Sequence, residues 1–219
     1  GPAFIGLCQD TQELAFDYPS SFFDEKLHII PRPRPDATKL ANAVEKLKSA
    51  KRPLIIAGGG VKYSLAGEII GDFASRYGIP ICETIAGKGA VIHTHPAYVG
   101  GIGVTGSSSA NAMAASADII LAVGTRLQDF TTGSWTTFAE DAQFISINTA
   151  RWDAIKHRAL DVVGDALETI HEIESGLGDW CAPESWIAKG REEMKVWDRL
   201  IDDKQKPTNA ILPSYAQII

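Results

Sequence analysis

The sequence contains few cysteines, no long apolar run and no excess of basic residues. Its three cysteines, Cys8, Cys82 and Cys181, are odd in number and far apart. They argue against a disulfide framework or a zinc site and favour reduced thiols, so we predict a cytoplasmic location. No apolar run reaches the roughly 20 residues of a membrane-spanning helix, and no signal-peptide pattern occurs. The net charge of −6 gives no reason to expect nucleic acid or a membrane as a partner.

Common catalytic and metal-binding signatures are also missing. No G-x-S-x-G turn occurs, and His93, His95 and His157 have no carboxylate or cysteine at the spacing of metal ligands, apart from Asp153 one helical turn before His157. The run Gly58-Gly59-Gly60 fails the G-x-G-x-x-G spacing of dinucleotide sites, and no Gly-Lys-Ser/Thr of a phosphate loop follows it. We therefore predict no catalytic residue and no metal ligand in this chain.

Residues 53–60 carry the strongest positive signal, since an apolar run leads directly into three glycines. Such a run is typical of a parallel strand that helices cover on both faces. Strands and helices then alternate, which predicts an α/β fold with a doubly wound, mostly parallel sheet of about six strands. The predicted strands are 53–57, 79–83, 98–99, 118–123, 143–148 and 160–163. The predicted helices are 38–50, 64–77, 107–116, 150–157, 165–176 and 184–204.

The two ends of the chain differ from this alternating middle. Residues 3–7 predict a short strand, and alternating prolines at 31–35 predict an extended linker. Pro207 ends the last long helical pattern, and a further helix is expected to begin near Leu212. We predict a linker with the exit of a preceding domain at 1–36, a central domain at 37–177, and a linker with the entry to a following domain at 178–219.

Glycines and polar residues cluster where four of the predicted strands end, which is where parallel sheets usually bind ligands. The candidates are Gly58, Gly59, Gly60, Thr84, Lys88, Thr105, Gly106, Gly124 and Arg126. Each has a structural alternative. The glycines can serve a tight turn, Lys88 can be solvated, serines after Gly106 can cap a helix, and Arg126 can pair with Asp129.

Taken in order, the motifs resemble the central domain of thiamine-diphosphate-dependent enzymes, the family of acetohydroxyacid synthase, pyruvate oxidase and benzoylformate decarboxylase. The resemblance covers about residues 1–176. Its carriers are Lys51-Arg52-Pro53, Gly58-Gly59-Gly60, Gly78-Ile79-Pro80, Thr84, Gly87-Lys88-Gly89, His95-Pro96, Gly100, Asn111-Ala112, Ala117-Asp118, Gly124-Thr125-Arg126, Ile147-Asn148 and Gly164-Asp165.

The resemblance implies a Rossmann-like domain of the DHS-like NAD/FAD-binding type and adds Asn148 and Asp165 to the candidate cofactor-binding residues. Residues 50–61 and 124–133 look most like ring-cleaving hydrolases of myo-inositol catabolism, proteins also labelled malonic semialdehyde oxidative decarboxylases. A full-length protein of this kind would use thiamine diphosphate and Mg²⁺ to cleave a C–C bond of a cyclic dione. It would also assemble as a homo-oligomer.

The same resemblance implies that the cofactor-activating parts lie outside this chain. The activating glutamate belongs to a pyrimidine-binding domain and the metal motif to a pyrophosphate-binding domain; here Gly164-Asp165 is followed by Ala166. We therefore expect an inactive scaffold and subunit-contact domain. The alternative is a module that binds FAD or ADP, as some central domains do. Gln128 and Phe130 stand where FAD-binding relatives carry an aspartate and an arginine, which argues against FAD.

Overall fold

A computed structural model describes residues 3–208 and 212–218, and the chain divides into two compact units, residues 1–31 and 32–219. In the first unit, a short helix α1 (Gln9–Gln12) and a 3₁₀ turn (Ser20–Phe22) are the regular elements of residues 3–31. The predicted strand at 3–7 is wrong. A strand needs a partner for its backbone groups, and no second strand occurs among these described residues.

The second unit is built on one sheet of six strands, and every pairing between neighbours is parallel. The strand order is β3-β2-β1-β4-β5-β6, the order of dinucleotide-binding sheets. The prediction of a doubly wound α/β fold is thereby confirmed. The strands are β1 (Pro53–Ala57), β2 (Ile81–Glu83), β3 (Tyr98–Gly101), β4 (Ile119–Val123), β5 (Gln143–Asn148) and β6 (Leu160–Val163).

Helices cover both faces of the sheet because side chains of successive strand residues point to opposite faces. Ile55 and Ala57 pack into one buried cluster, whereas Leu54 and Ile56 pack into the other. The helices of this unit are α2 (Ala37–Lys48), α3 (Gly59–Tyr63), α4 (Gly67–Tyr77), α5 (Ser108–Ser116), α6 (Asp129–Thr132), α7 (Arg151–Ala154), α8 (Ala166–Leu177), α9 (Glu184–Gln205) and α10 (Tyr215–Ile218).

Several element boundaries differ from the predictions for local reasons. The helix predicted from residue 64 begins at Gly67, because Leu65 takes a left-handed conformation with φ of 57°. The helix predicted over 150–157 ends at Ala154, and a 3₁₀ turn follows in which His157 has φ of 58°. Strand β2 starts at Ile81, two residues later than predicted. The short helices α3 and α6 were not predicted, since glycines and polar residues there indicated turns.

The helix predicted at 184–204 is confirmed as α9, and its first turns pack on the sheet unit. The Trp186 indole N–H donates a buried hydrogen bond of 2.7 Å to the carbonyl oxygen of Pro53. Ala182 N–H binds the carbonyl oxygen of Tyr77 at 2.9 Å. The helix predicted near Leu212 is α10, although part of that prediction, at residue 219, lies outside the described residues. The predicted domain boundaries stay predictions.

Among the described residues, none of the helices has both the length and the apolar character needed to cross a membrane.

Candidate functional site

An open cleft of about 610 Å³ lies at the C-terminal ends of β1, β2 and β4. Strands β1 and β4 are neighbours in the sheet, but the chain winds away from them in opposite directions. Their connecting segments therefore diverge at the C-terminal edge and leave a crevice, which is the usual ligand position in such sheets. The cleft is lined by Gly59, Gly60, Tyr63, Thr84, Ile85, Ala86, Gly124, Thr125, Arg126, Gln128, Phe130 and Thr131.

The floor of the cleft is a close approach between two backbone segments, one after β1 and one after β4. Gly60 N–H donates to the carbonyl oxygen of Gly124 at 2.8 Å, and Gly58 N–H donates to Val123 at the same distance. A Cβ placed on Gly60 would lie 2.6 Å from the Gly124 Cα, and one on Gly58 would overlap the Gly124 oxygen. These glycines are therefore required by packing, whatever the cleft binds.

Arg126 is the cation of the cleft, and it is exposed. It makes no hydrogen bond or ion pair with any described residue. The alternative pairing with Asp129 is not formed, because the Asp129 carboxylate instead accepts a 2.8 Å hydrogen bond from the Ser134 hydroxyl. The guanidinium therefore keeps all its donors available for an anionic ligand or partner.

Thr84 lies on the opposite wall, where β2 ends. Its backbone N–H donates to the carbonyl oxygen of Ala57 at 3.0 Å, and its hydroxyl accepts a 3.1 Å hydrogen bond from Gly87 N–H. The side chain is thus committed to shaping the turn at 84–87. Its contribution to the cleft is to hold Ile85 and Ala86 in place.

Lys88 does not line the cleft. Its ammonium group lies 3.4 Å from the Tyr98 hydroxyl and 5.8 Å from the centre of that ring. Tyr98 in turn donates to the buried carboxylate of Glu83 at 3.2 Å, and Glu83 accepts a second hydrogen bond, of 2.8 Å, from Val91 N–H. Burial and the nearby Glu83 carboxylate raise the pKa of Tyr98. This network fixes the loop between β2 and β3.

Thr105 and Gly106 lie on the loop before α5 and outside the cleft lining. Ser107 caps α5, since its hydroxyl accepts a 3.1 Å hydrogen bond from Ala110 N–H. The structure therefore contains the helix cap that the sequence analysis gave as the alternative to a binding role for this loop. The loop still contacts the cleft wall, because Val104 N–H donates to the carbonyl oxygen of Phe130 at 2.9 Å.

Asn148 stabilises the segment that carries Arg126 through hydrogen bonds. It is the last residue of β5, and its amide group donates a 3.2 Å hydrogen bond to the carbonyl oxygen of Thr125 while its oxygen accepts from Ala150 N–H at 3.0 Å. These bonds fix the turn that presents Arg126. Asn148 is a positioning residue in this arrangement.

Asp165 belongs to a different cluster, at the end of β6. One carboxylate oxygen accepts hydrogen bonds from the Ser64 hydroxyl at 2.7 Å and from Arg32 at 3.0 Å, and it also caps α8 through Leu167 N–H. Burial raises the pKa of Asp165, but the hydrogen bonds from Ser64 and Arg32 outweigh it and leave that pKa below its usual value. The carboxylate is therefore part of a structural network.

Seven lining residues were not among the predicted site residues: Tyr63, Ile85, Ala86, Thr125, Gln128, Phe130 and Thr131. Tyr63 ends the unpredicted helix α3 and is 92% exposed, and Thr131 lies in the unpredicted helix α6. A large exposed aromatic residue a few positions after a glycine-rich strand end was the available signal for Tyr63.

The cleft combines one unpaired cation, hydroxyl groups and apolar walls, a set of groups that can hold an anionic ligand with an apolar part. No group of three or more histidine, cysteine, aspartate or glutamate side chains in residues 3–208 and 212–218 is arranged to hold a metal ion.

Comparison with known proteins gives one family and a consistent set of relatives. Residues 40–173 match the family described as "Thiamine pyrophosphate enzyme, central domain". The chain is 40% identical over 202 residues to the 3D-(3,5/4)-trihydroxycyclohexane-1,2-dione hydrolase of Geobacillus thermodenitrificans, covering 92% of this chain and 31% of that protein. It is also 40% identical over 218 residues to the hydrolase of the same name from Lacticaseibacillus casei, covering 98% of this chain and 33% of the relative.

A third relative, the protein of the same name from Clostridium perfringens, is 43% identical over 178 residues, covering 81% of this chain and 28% of the relative. The chain therefore spans about a third of the length of the curated relatives that it matches.

Proposed function

Since the chain belongs to the family of thiamine pyrophosphate enzyme central domains, we propose that it is the central domain of a trihydroxycyclohexanedione hydrolase. The full-length protein would cleave a C–C bond of a cyclic dione in myo-inositol catabolism. The observation that carries this proposal is 40% identity along 98% of the chain to a relative of that name. The label malonic semialdehyde oxidative decarboxylase would describe the same kind of protein.

Within residues 3–208 and 212–218, neither Asp165 nor the cleft offers groups that fit thiamine diphosphate and its metal ion. Asp165 stands in the Gly164-Asp165 pair that the resemblance implies for cofactor binding, and its carboxylate already accepts from Ser64, Arg32 and the start of α8. The cleft residues offer Arg126 but no carboxylate for a cation. We propose that the cofactor is held by other domains and that this chain is a scaffold without activity of its own.

An activity assay in two contexts tests this function. The full-length protein, supplied with thiamine diphosphate and Mg²⁺, is expected to consume 3D-(3,5/4)-trihydroxycyclohexane-1,2-dione, and the 219-residue chain alone is expected to leave it unchanged. A full-length protein that ignores the dione but decarboxylates 2-oxo acids would contradict the proposed substrate. Turnover by the 219-residue chain would contradict the scaffold role.

A second candidate is a nucleotide-binding module, and the observation that favours it is the cleft at the switch point with its unpaired Arg126. An adenine nucleotide such as ADP would place its phosphates near this guanidinium and its base against the apolar wall. FAD is the weaker candidate, because the Phe130 side chain stands on the cleft wall where FAD-binding relatives carry an arginine.

Thermal shift measurements test the second candidate. A ligand at 100 times its dissociation constant stabilises the folded state by about 2.7 kcal/mol. If ADP binds in the cleft, millimolar ADP raises the unfolding temperature of the wild-type chain, and Arg126→Ala weakens the effect. An equal shift in both proteins would place any bound ADP outside the cleft. No shift with ADP would leave the scaffold role as the remaining proposal.

The partners and location follow from the first proposal. The partners would be the pyrimidine-binding and pyrophosphate-binding domains of the full-length protein, in a homo-oligomer located in the cytoplasm. Analytical ultracentrifugation of the full-length protein measures the assembly. A monomer at micromolar concentration would contradict it.

A further inference from the structure

Large apolar side chains are exposed in the segments that follow the C-terminal ends of five of the six strands. Because the strands are parallel, these segments leave the sheet at one edge, which we name the apolar edge. Val104 and Phe130 are joined there by a backbone hydrogen bond. The members of the apolar edge have exposed fractions from 59% to 92% and are Tyr63, Leu65, Ile85, Val104, Phe130 and Trp152.

The apolar edge borders the cleft, since three of its six members, Tyr63, Ile85 and Phe130, are also cleft-lining residues. Exposed apolar groups gathered at one site, rather than scattered singly, usually mark a binding surface. Aromatic side chains are the preferred anchors of such surfaces. Three of the six members are aromatic, which fits a protein interface.

The charges on the same edge oppose those of the whole chain. Four exposed cations, Lys62, Lys88, Arg126 and Arg151, lie in the segments that carry the apolar members. Asp129 is the exposed acid of these segments, and Asp153 is paired with Lys156. The edge is therefore positive on a chain whose net charge is −6.

The positive charge of the apolar edge indicates which kind of partner can bind there. Two copies of the chain that met through the apolar edge would bring four cations against four cations, and such like-charge contacts disfavour association. An acidic surface with apolar groups would instead complement the edge. The relatives are about three times as long as this chain, so the full-length protein has other domains that can supply this surface.

We propose that the apolar edge is the docking surface for an acidic and apolar face of another domain of the full-length protein, a proposal that rests on the function proposed above. Docking there would cover the mouth of the cleft and remove water from around Arg126. A guanidinium in such a site interacts more strongly with an anion than it does in water.

The experiment compares substitutions in two contexts, the full-length protein and the 219-residue chain. The edge variant combines Trp152→Ser with Arg151→Glu, two residues outside the cleft lining. The matched control combines Val196→Ser with Arg199→Glu on α9, where Val196 is 56% exposed and Arg199 is also exposed. The unfolding temperature is measured for all proteins at low salt.

The proposal predicts that the edge variant lowers the unfolding temperature of the full-length protein by about 2 °C or more. It predicts less than about 1 °C in the isolated chain, because both side chains are solvent-exposed there. The control is expected to change neither protein by more than about 1 °C. High salt should reduce the effect of the edge variant, since part of the interaction is electrostatic.

Three results would overturn the proposal. The first is an edge variant of the full-length protein as stable as its control. The second is an equal loss in the isolated chain, which would make the residues structural. The third is a dimer of the isolated chain that the edge variant dissociates, which would make a second copy the partner. Dione turnover by the unsubstituted full-length protein tests the proposed function separately, so failure of one proposal does not imply failure of the other.

Discussion

The turns after β4 and β6 have the same local pattern, a glycine followed within two residues by a charged side chain, but their charges have different surroundings. After β4, Arg126 is exposed and has no partner among the described residues. After β6, the Asp165 carboxylate accepts from Ser64, Arg32 and the first turn of α8. The turn after β4 can therefore bind a ligand or partner, whereas the carboxylate in the turn after β6 already has its hydrogen-bond donors within the fold.

The difference comes from the place of each strand in the sheet. Strand β4 lies beside β1 at the point where the winding direction changes, so the segments that follow the two strands diverge and leave the cleft open between them. Strand β6 is the outer strand, and the segment at 32–33 covers its end: Asp165 N–H donates to the carbonyl oxygen of Pro33 at 2.8 Å. The type of a residue after a strand therefore does not decide whether its side chain is free to bind a ligand or stabilises the fold. The segments that pack around that residue decide it.

Gly60→Ala is expected to have the largest effect, because it disrupts the contact that both cleft walls share. The new methyl group would lie 2.6 Å from the Gly124 Cα, so the backbone after β4 would have to move. We expect a loss of about 3 kcal/mol in the free energy of unfolding, measured by urea denaturation. Gly101→Ala is the control, since its nearest neighbour is the Glu83 oxygen at 3.8 Å, and a loss as large there would refute the steric explanation.

Asp165→Ala tests the turn after β6. It removes the cap of α8 and leaves Arg32 and Ser64 without their common acceptor. We expect a loss of about 2 kcal/mol, against about 1 kcal/mol for Asp36→Ala, which removes the exposed cap of α2. Equal losses in urea denaturation would mean that the hydrogen bonds from Ser64 and Arg32 add nothing beyond the cap.

The same turn predicts a pH dependence. The folded state holds the pKa of Asp165 below its usual value, so the ionised carboxylate stabilises the fold. This stabilisation is complete above the pKa of the unfolded chain, about 3.9, and is lost as the pH falls through the lower pKa of the folded state. The stability difference between wild type and Asp165→Asn should therefore shrink below about pH 4. A difference that stays constant down to about pH 2 would contradict the assignment.

Arg126→Ala should have the smallest effect on stability, since this side chain has no partner among the described residues. We expect a change of less than about 0.5 kcal/mol in the free energy of unfolding. A larger loss would show that Arg126 is part of the fold, and the contrast between the two turns would then disappear. The circular dichroism spectrum of the variant checks that the fold is unchanged.

The fold could be predicted from the sequence because the signals for it are local. Continuous apolar runs such as 53–57 mark strands buried on both faces, and the alternation with helical patterns indicates a parallel sheet. The wrong predictions of helix boundaries depended on backbone conformations, which amino-acid composition does not reveal. Leu65 and His157 take left-handed conformations and shift helix boundaries, and Gly59 and Gly60 begin a helix instead of only a turn.

The candidate site could be predicted only in part, for a different reason. Strand ends of a parallel sheet share one edge, and Gly59, Gly60, Thr84, Gly124 and Arg126 all line the cleft at that edge. Whether a following loop stays at that edge or folds away depends on long-range contacts. The structure places Lys88 beside Tyr98 and Thr105 on the loop before α5. The binding roles proposed for all these residues stay predictions.

We propose that this chain provides the frame of a thiamine-dependent enzyme and that other domains hold its cofactor. Isothermal titration with thiamine diphosphate and Mg²⁺ tests it most directly, with the full-length protein and the 219-residue chain measured side by side. We expect saturable binding by the full-length protein and no binding heat from the 219-residue chain. Saturable binding by the 219-residue chain would contradict it.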